Sequence, residues 1–435
     1  MKTGPDPRSL AIKSLLRIEK NGKYSNLEVD AAAESSGMTE ADRRLYSRLV
    51  YGAIERKITL DAVAADFSRR PPEKLDPECR AALRVGLYQI MYSDRIPDHA
   101  AVNATVGAVG ERYRGYVNGV LRSFLRKKDG YSLTFPGSKA DNLSVRYSVS
   151  PDIAEVLIDS YGPDRAEMIL SSFSGEAAVC LRLNTLRKPV LPEGARPASG
   201  PLDVIAAFVD SVSPKVRRGI AEGDWFVQDA SSILCTEVLG AEPGETVADV
   251  CAAPGGKSFS SAMRMKNKGT VYSFDLHENK LSLIKIGAGR LGIEIIRTSC
   301  RDGREPLPDL FGKCERVLCD APCSGIGVIG KKPEIRYKKK EDFEKLPAIQ
   351  KELLAASASY AAPGGVLVYS TCTLNRKENE DVAEALVSSR PDFEPLDFEL
   401  PGIGQSSGGM MTLFPSGSDF PRDGFFIARF RRRSE

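Results

Sequence analysis

The sequence predicts a multidomain protein: an all-α N-terminal bundle, a small α+β connector, and an α/β domain built on a mostly parallel, Rossmann-like sheet. Three observations lead there. The first 130 residues repeat helical spacing with no strand pattern between the repeats. From about residue 223, short β-branched runs alternate with helical stretches. The length of 435 residues also exceeds what one hydrophobic core organises in most chains. With 42% apolar and 27% charged residues, the composition is that of a globular protein able to bury sizeable cores.

The helical reading starts at DPRSLAIKSLLRIEK, where Asp6 and Pro7 are cap and first-turn signals and Ala11, Leu15 and Ile18 follow at i, i+4, i+7. Leu45, Leu49 and Ala53 make a second apolar stripe, and Leu83, Leu87 and Ile90 a third. Val102, Val106 and Val109 make a fourth, and Val117, Val120, Leu121 and Phe124 a fifth. Such stripes bury one face of each helix against its neighbours, which predicts a bundle over residues 1–132. KKDGYSLTFPGSKADN (127–142) gathers Gly, Pro, Ser and charge and marks a linker. Residues 133–222 mix helical and strand-like pieces, AVCLRLNTL among them, and read as linker plus a small α+β connector. In 223–435 the runs TVADVCA, TVYSFD, IEIIRT, RVLCDAP and GVLVYSTC alternate with ENKLSLIKIGAGR and AIQKELLAASASY, as in a doubly wound sheet.

Composition excludes several classes. There is no 18-residue apolar run, and MKTGPDPRSL lacks an apolar core, so neither a membrane span nor export is expected and the protein is read as cytoplasmic. Nine cysteines, spread from Cys79 to Cys372, are no disulfide framework in so long a chain, and reduced thiols are expected. With two histidines and no zinc-ligand spacing around the cysteines, no metal site is expected. Net charge is only +3, yet residues 1–130 hold 23 Lys+Arg against 17 Asp+Glu. The basic excess sits in the N-terminal third and points to a polyanionic partner.

In an open α/β sheet, ligands bind beyond the carboxyl ends of the strands, so the residues after each run matter most. DVCAAPGGKS (249–258) puts Gly255 and Gly256 between a strand and a helix, where bare backbone approaches a ligand and the helix N-terminus faces it. Cys251 stands where a Walker A loop needs glycine, which removes the main signature of phosphate transfer. Asp275 closes the next strand 19 residues after Gly256, the spacing at which a carboxylate meets ribose hydroxyls, and Asp302 follows the third run. A nucleoside cofactor is thereby implied.

DAPCSGIG (320–327) and YSTC end the fourth and fifth runs, so Cys323 and Cys372 lie along one edge of the sheet. Cys251, Cys300, Cys314 and Cys319 read instead as small buried hydrophobes. GIGVIG (325–330) matches GxGxxG formally, but it follows a Cys-Ser turn and leads into KKPEIRYKKK, so it reads as a flexible substrate loop. KKPEIRYKKK (331–340) sets six basic residues around Tyr337, which suits phosphate contacts with base stacking or, equally, a solvated charged loop. Arg290 reads as a solvated helix charge, Trp225 as a ligand-side or core residue, and RFRRR (429–433) as a phosphate contact or a frayed basic tail.

DVCAAPGGKS, DAPCSGIG, YSTCTLNRKENE and the closing FPRDGFFIARF resemble, in order and spacing, the RNA cytosine-5 methyltransferases from about residue 223 to 435. LYQIMYSDRIPDHAAVNATV followed by GYVNGVLRSFLRK is similar to NusB-type RNA-binding domains. That fusion resembles the RsmB/Sun family. The resemblance implies S-adenosylmethionine-dependent methylation of C5 of a cytosine in 16S, small-subunit rRNA through a covalent cysteine–C6 adduct. It implies Cys372 as nucleophile, Cys323 as the residue that resolves the adduct, and Asp320 facing N3 and N4 of the pyrimidine. A free thiol is mostly protonated at neutral pH, and Lys257 is the motif residue best suited to favour the thiolate.

The cofactor contacts that the resemblance implies are Ala252, Ala253, Pro254, Gly255, Gly256 and Lys257, with Asp275 on the ribose, Asp302 near the adenine and Asp320 near the methionine end. Lys331, Lys332, Arg336 and Tyr337 are the expected RNA contacts. Here the family commonly has Arg-Arg-His-Pro-Asp and then tryptophan, and this chain keeps charge and aromaticity without those residues. Two other functions stay open: a cytosine-5 methyltransferase acting on tRNA, or an RNA-binding antitermination-type module with an inactive methyltransferase fold. A decayed enzyme is expected to have lost Cys372, Cys323, Asp320 or the glycine pair, and all are present. The protein is expected to be a monomer.

Overall fold

The structure, a computed structural model, describes residues 6–21, 25–135, 137–175, 178–188, 190–417 and 420–434. The first five residues of MKTGPDPRSL and Pro136 of the expected linker lie outside the described residues. The chain divides into two compact units, Met1–Leu170 with Lys331–Lys339, and Ser171–Gly330 with Lys340–Glu435.

The first unit is helical. The helices are Pro7–Asn21, Ser25–Ser35, Glu40–Glu55, Lys57–Phe67, Pro77–Tyr92, Asp98–Gly107 and Glu111–Leu125, and they carry the expected stripes except Val109, which lies past the end of Asp98–Gly107. Pro77–Tyr92 runs through the middle, with Cys79, Ala81, Ala82, Leu83, Val85, Leu87 and Ile90 buried. Asp76 starts it by accepting from the Glu78 N–H at 3.1 Å, and Pro77 at the first helical position has no N–H to leave unsatisfied. The same unit continues past the linker through Lys139–Tyr147, Pro151–Tyr161 and most of Pro163–Ser172. Ser138 opens the first of these with a capping box to Asp141, and Ser150 caps the second through the Ile153 N–H. Composition alone placed these helices in the connector, but their apolar faces, Leu143, Ile153, Leu157 and Ile169 among them, belong to the helical unit.

The second unit opens with a four-stranded antiparallel sheet in the order Arg196–Pro197, Ala206–Val209, Val179–Leu183, Trp225–Val227. Trp225 belongs to its core. The ring is 4% exposed, its Nε1 donates to Val216 O at 3.1 Å, and it lies so close to Gly219 that any Cβ there would come within 2.0 Å of it.

The larger sheet of this unit has the strand order Phe393–Pro395, Phe425–Arg432, Ala361–Thr371, Cys314–Asp320, Thr246–Asp249, Thr270–Asp275, Ile296–Cys300, with Met410–Leu413 paired to Phe425–Arg432. The last five strands of that order are mutually parallel, while Phe425–Arg432 pairs antiparallel to Ala361–Thr371. The segment read as a basic tail is therefore largely a paired strand, and Arg432 Nη1 donates to Ala361 O at 2.7 Å. Period-two alternation divides the strand residues between two faces. Val366 and Val368 join the core with Ile233, Phe259 and Ile284, whereas Leu367 and Tyr369 join the core with Leu353, Val382 and Leu386. Among the described residues no helix is long and apolar enough to cross a membrane.

Candidate active site at the strand ends

The parallel topology brings the carboxyl ends of the strands together, and the side chains singled out in the sequence meet there. Gly255 has φ +109°, and a Cβ there would lie 2.6 Å from the Phe259 ring, so the turn into Gly256–Arg264 needs glycine. Asp275 closes its strand and braces the turn, accepting from Ala253 N at 3.3 Å and from His277 N at 3.0 Å. Asp302 is engaged by Arg304, whose Nε lies 3.0 Å from Oδ1.

Asp320 ends its strand between two partners. Lys257 Nζ donates to Oδ2 at 2.7 Å and Ser370 Oγ to Oδ1 at 2.7 Å, while Ser232 Oγ lies 3.3 Å from the ammonium. Burial works against charge on Lys257, but the Asp320 carboxylate outweighs it, with Cys235, a hydrogen bond to Asp320 and Cys372 adding in the same direction, and the amine is held above the ordinary lysine range.

Cys323 Sγ lies 3.3 Å from Cys372 Sγ, although the two are 49 positions apart. The hydrogen bond to Cys372 is the first cause raising the Cys323 thiol well above its ordinary pKa, with burial second and Glu378 and Asp320 adding to it. The two sulfurs therefore form one hydrogen-bonded pair, in which either thiol is placed to donate to the other. The other thiols differ. Cys314 and Cys319 are fully buried and burial pushes each up to about 12, as expected of inert packing groups. Cys251, partly buried, packs against the core and burial holds its thiol well above the usual range, whereas Cys300 is exposed and does not fit the buried-hydrophobe expectation. Cys300 ends its strand beside solvent, its Sγ donating to Leu276 O at 3.4 Å.

The segment read as a flexible substrate loop and part of the segment read as an RNA contact or solvated loop are packed. The 325–330 segment is packed rather than flexible: Ile326 and Ile329 are fully buried, Gly327 N donates to Cys372 O at 3.0 Å, and Gly424 N donates to Gly327 O at 2.9 Å. A Cβ on Gly327 would sit 2.1 Å from Gly424 O, so only glycine permits that approach. Lys331 and Lys332 are exposed, but Arg336 and Tyr337 are built into the helical unit. Arg336 is 5% exposed and donates to Tyr147 O at 2.9 Å. The Tyr337 hydroxyl donates to Ile54 O, accepts from Lys57 N at 3.2 Å and pairs with Ser148 Oγ at 3.1 Å, and the Lys57 ammonium covers its ring at 5.0 Å. Burial pushes the phenol up to about 12. The ring expected to stack on a base is here a packing group. Arg290 likewise donates to Ile220 O instead of standing free in solvent.

Comparison with known proteins matches this geometry to a family. The family model for 16S rRNA methyltransferase RsmB/F matches residues 236–431, and the NusB family model matches residues 5–126. A probable ribosomal RNA small subunit methyltransferase B from Bacillus subtilis (strain 168) is 35% identical, covering 98% of this chain and 98% of its own. The chain belongs to the RsmB family. The ribosomal RNA small subunit methyltransferase B of Thermus thermophilus is 32% identical with the same coverage of both chains. The crystal structure of PH0851 superposes with a TM-score of 0.78 at 26% identity, covering 98% of this chain and 99% of that one.

The RsmB-family site includes residues that sequence reasoning missed. Ser370 and Ser232 support Asp320 and Lys257, and Asp249 lies fully inside the sheet end with Ser258 Oγ on Oδ2 at 2.7 Å and no protein partner on Oδ1. Burial pushes Asp249 up to about 7, and only its position at a strand terminus signalled it in the sequence. Glu378, fully buried, sits between the two cysteine loops. Its motif was visible, but its partners are scattered along the chain.

Proposed function

We propose that this RsmB-family protein methylates C5 of a cytosine in 16S rRNA in the cytoplasm, with S-adenosylmethionine as methyl donor, through a covalent bond between Cys372 and C6. The sulfur pair carries the reading: two thiols 3.3 Å apart lie at the strand ends with the Lys257-bound carboxylate Asp320. The relatives, small-subunit ribosomal RNA methyltransferases by name, supply the rRNA substrate.

The residues present fit the donor. Asp249 Oδ1 is a buried oxygen without a protein partner, and each Asp275 oxygen, though holding one backbone N–H, retains a lone pair for a hydroxyl. Ala252, Ala253, Pro254, Gly255, Gly256 and Lys257 would line the donor, with Asp275 on the ribose, Asp302 towards the adenine and Asp320 towards the methionine end. When bound, S-adenosylmethionine supplies an electrophilic methyl group on a sulfonium.

Cytosine C5 is too weak a nucleophile to take that methyl unaided, so Cys372 adds to C6 and makes C5 enamine-like. Addition pushes an electron pair to N3, which takes up a proton from water until methyl transfer releases it. Asp320, held by Lys257 and Ser370 at one oxygen each, would accept hydrogen bonds from that N3–H and the N4 amine. After transfer, the C5 proton leaves to a base, its bonding pair restores the C5–C6 double bond, and the C6–S bond breaks. Cys372 departs as thiolate and is received by the hydrogen bond of the Cys323 thiol.

The test is transfer of labelled methyl to 16S rRNA lacking its own modifications, with tRNA in parallel, comparing wild type with Cys372→Ala. The expected result is 5-methylcytosine in rRNA and a loss of about 10^4-fold or more in the variant, as for removal of a nucleophile. Label confined to tRNA would replace the substrate, and label that survives Cys372→Ala would overturn the mechanism.

A further inference from the structure

Both peptide groups that flank Cys323 are tied to one buried node. Ser324 N donates to Glu378 Oε2 at 2.8 Å, and Gln350 Nε2 bridges Pro322 O at 2.9 Å and the same Glu378 oxygen at 3.0 Å. Asn375 Nδ2 donates to Glu378 Oε1 at 2.9 Å, and the Tyr369 hydroxyl donates to the Glu378 carbonyl at 2.6 Å. Glu378 and Gln350 are both fully buried. The carboxylate is therefore held by neutral N–H donors in a dry site, where charge-assisted hydrogen bonds are strong and directional.

The Cys372 side is tied to the same place. Glu378 follows the Cys372 loop by six positions, and its neighbour Asn379 donates to Thr373 O at 3.0 Å and accepts from Thr371 Oγ1 at 2.5 Å, gripping the residues on either side of Cys372. Ser324 Oγ and Thr373 Oγ1 then join the two loops directly at 2.6 Å. A buried charge is costly and is easily replaced by an apolar group where only packing is needed. Here its two oxygens point one way to the Cys323 loop and the other to the turn after Cys372.

We propose that Glu378 is a positioning residue that sets the Cys323 thiol against the Cys372 sulfur, and so governs release of the methylated base from its adduct. This rests on the covalent reading above. Adduct formation needs Cys372 alone, whereas release needs Cys323 within hydrogen-bond reach of the departing sulfur. Asn379 grips the residues beside Cys372 without using the Glu378 carboxylate, so loosening the carboxylate frees chiefly the Cys323 loop, slowing the second step and leaving the first intact.

The experiment is a single-turnover reaction of the full-length protein with labelled S-adenosylmethionine and 16S rRNA. It follows formation and decay of the denaturation-resistant protein–RNA complex in wild type, Cys323→Ala, Glu378→Gln and Gln350→Leu. Glu378→Gln should form the complex at the wild-type rate and lose it roughly tenfold or more slowly, the scale of one charge-assisted hydrogen bond. Gln350→Leu, which leaves the carboxylate in place, should show the same asymmetry to a smaller degree and keeps the test alive if Glu378→Gln does not fold. If Cys323→Ala traps the complex but both node variants release it at the wild-type rate, or slow both steps equally, Glu378 is structural only. If no complex forms even in Cys323→Ala, the covalent reading itself falls, and this proposal with it.

Discussion

Arg84 in the helical unit and Asp249 in the α/β unit are both buried ionisable side chains, yet their surroundings differ. Arg84, 4% exposed, gives Nε and Nη2 to the two oxygens of Asp61 at 2.7 Å each and Nη1 to Glu19. Asp249, 1% exposed, has Ser258 on one oxygen and no protein partner on the other. The helical unit completes its buried charge with opposite charge, which a fold does for cohesion. In the α/β unit the strand-end oxygen Asp249 Oδ1 is left incomplete, where a ligand would complete it, and an unfinished group of that kind marks a site.

Breaking the complete cluster should have the largest effect on stability. Arg84→Met keeps the stem but strands Asp61 and leaves Glu19 only Arg80 and Lys57, and should cost about 3 kcal/mol in denaturant unfolding while methyl transfer per folded molecule stays at the wild-type level. Activity lost at full stability would reverse the comparison.

The incomplete group should show itself through pH. The folded-state pKa of Asp249 is raised from 3.8 to about 7, so its contribution to stability is fully present below pH 3.8 and is lost as pH rises through 7. Between pH 4 and 7 this one group should lower the unfolding free energy by about 3 kcal/mol, and Asp249→Asn should remove that slope. An identical slope in the variant would mean that Asp249 is ionised in the folded protein.

The smallest effect concerns the Tyr337 hydroxyl. Tyr337→Phe keeps the ring but leaves Ile54 O and Lys57 N without it, and should lower stability by about 1 kcal/mol. Unchanged stability would return the side chain to the RNA-facing role that its sequence neighbours suggest.

Much of the fold was legible because it rests on local period. Stripes such as Leu83, Leu87 and Ile90 bury as expected, and TVYSFD is the strand Thr270–Asp275 to the residue. IEIIRT was placed too early: the strand is Ile296–Cys300, with the preceding Ile293 and Ile295 buried in the core before it begins. The 331–339 segment misled for a different reason. Its charge density reads as surface, but Tyr337 reaches Ile54, 283 positions away, and no window of sequence contains that contact.

The helical bundle, the βα alternation and the placement of Asp275, Asp320, Cys323 and Cys372 at strand ends are written in local sequence, because periodicity and turn chemistry are properties of neighbouring residues. Packing in three dimensions is what sets two sulfurs 49 positions apart at 3.3 Å, pairs Lys257 with Asp320, and lets Glu378 brace Ser324 across 54 positions. Those relations depend on strand order and loop packing, through which one buried carboxylate finds donors that chain distance does not foretell.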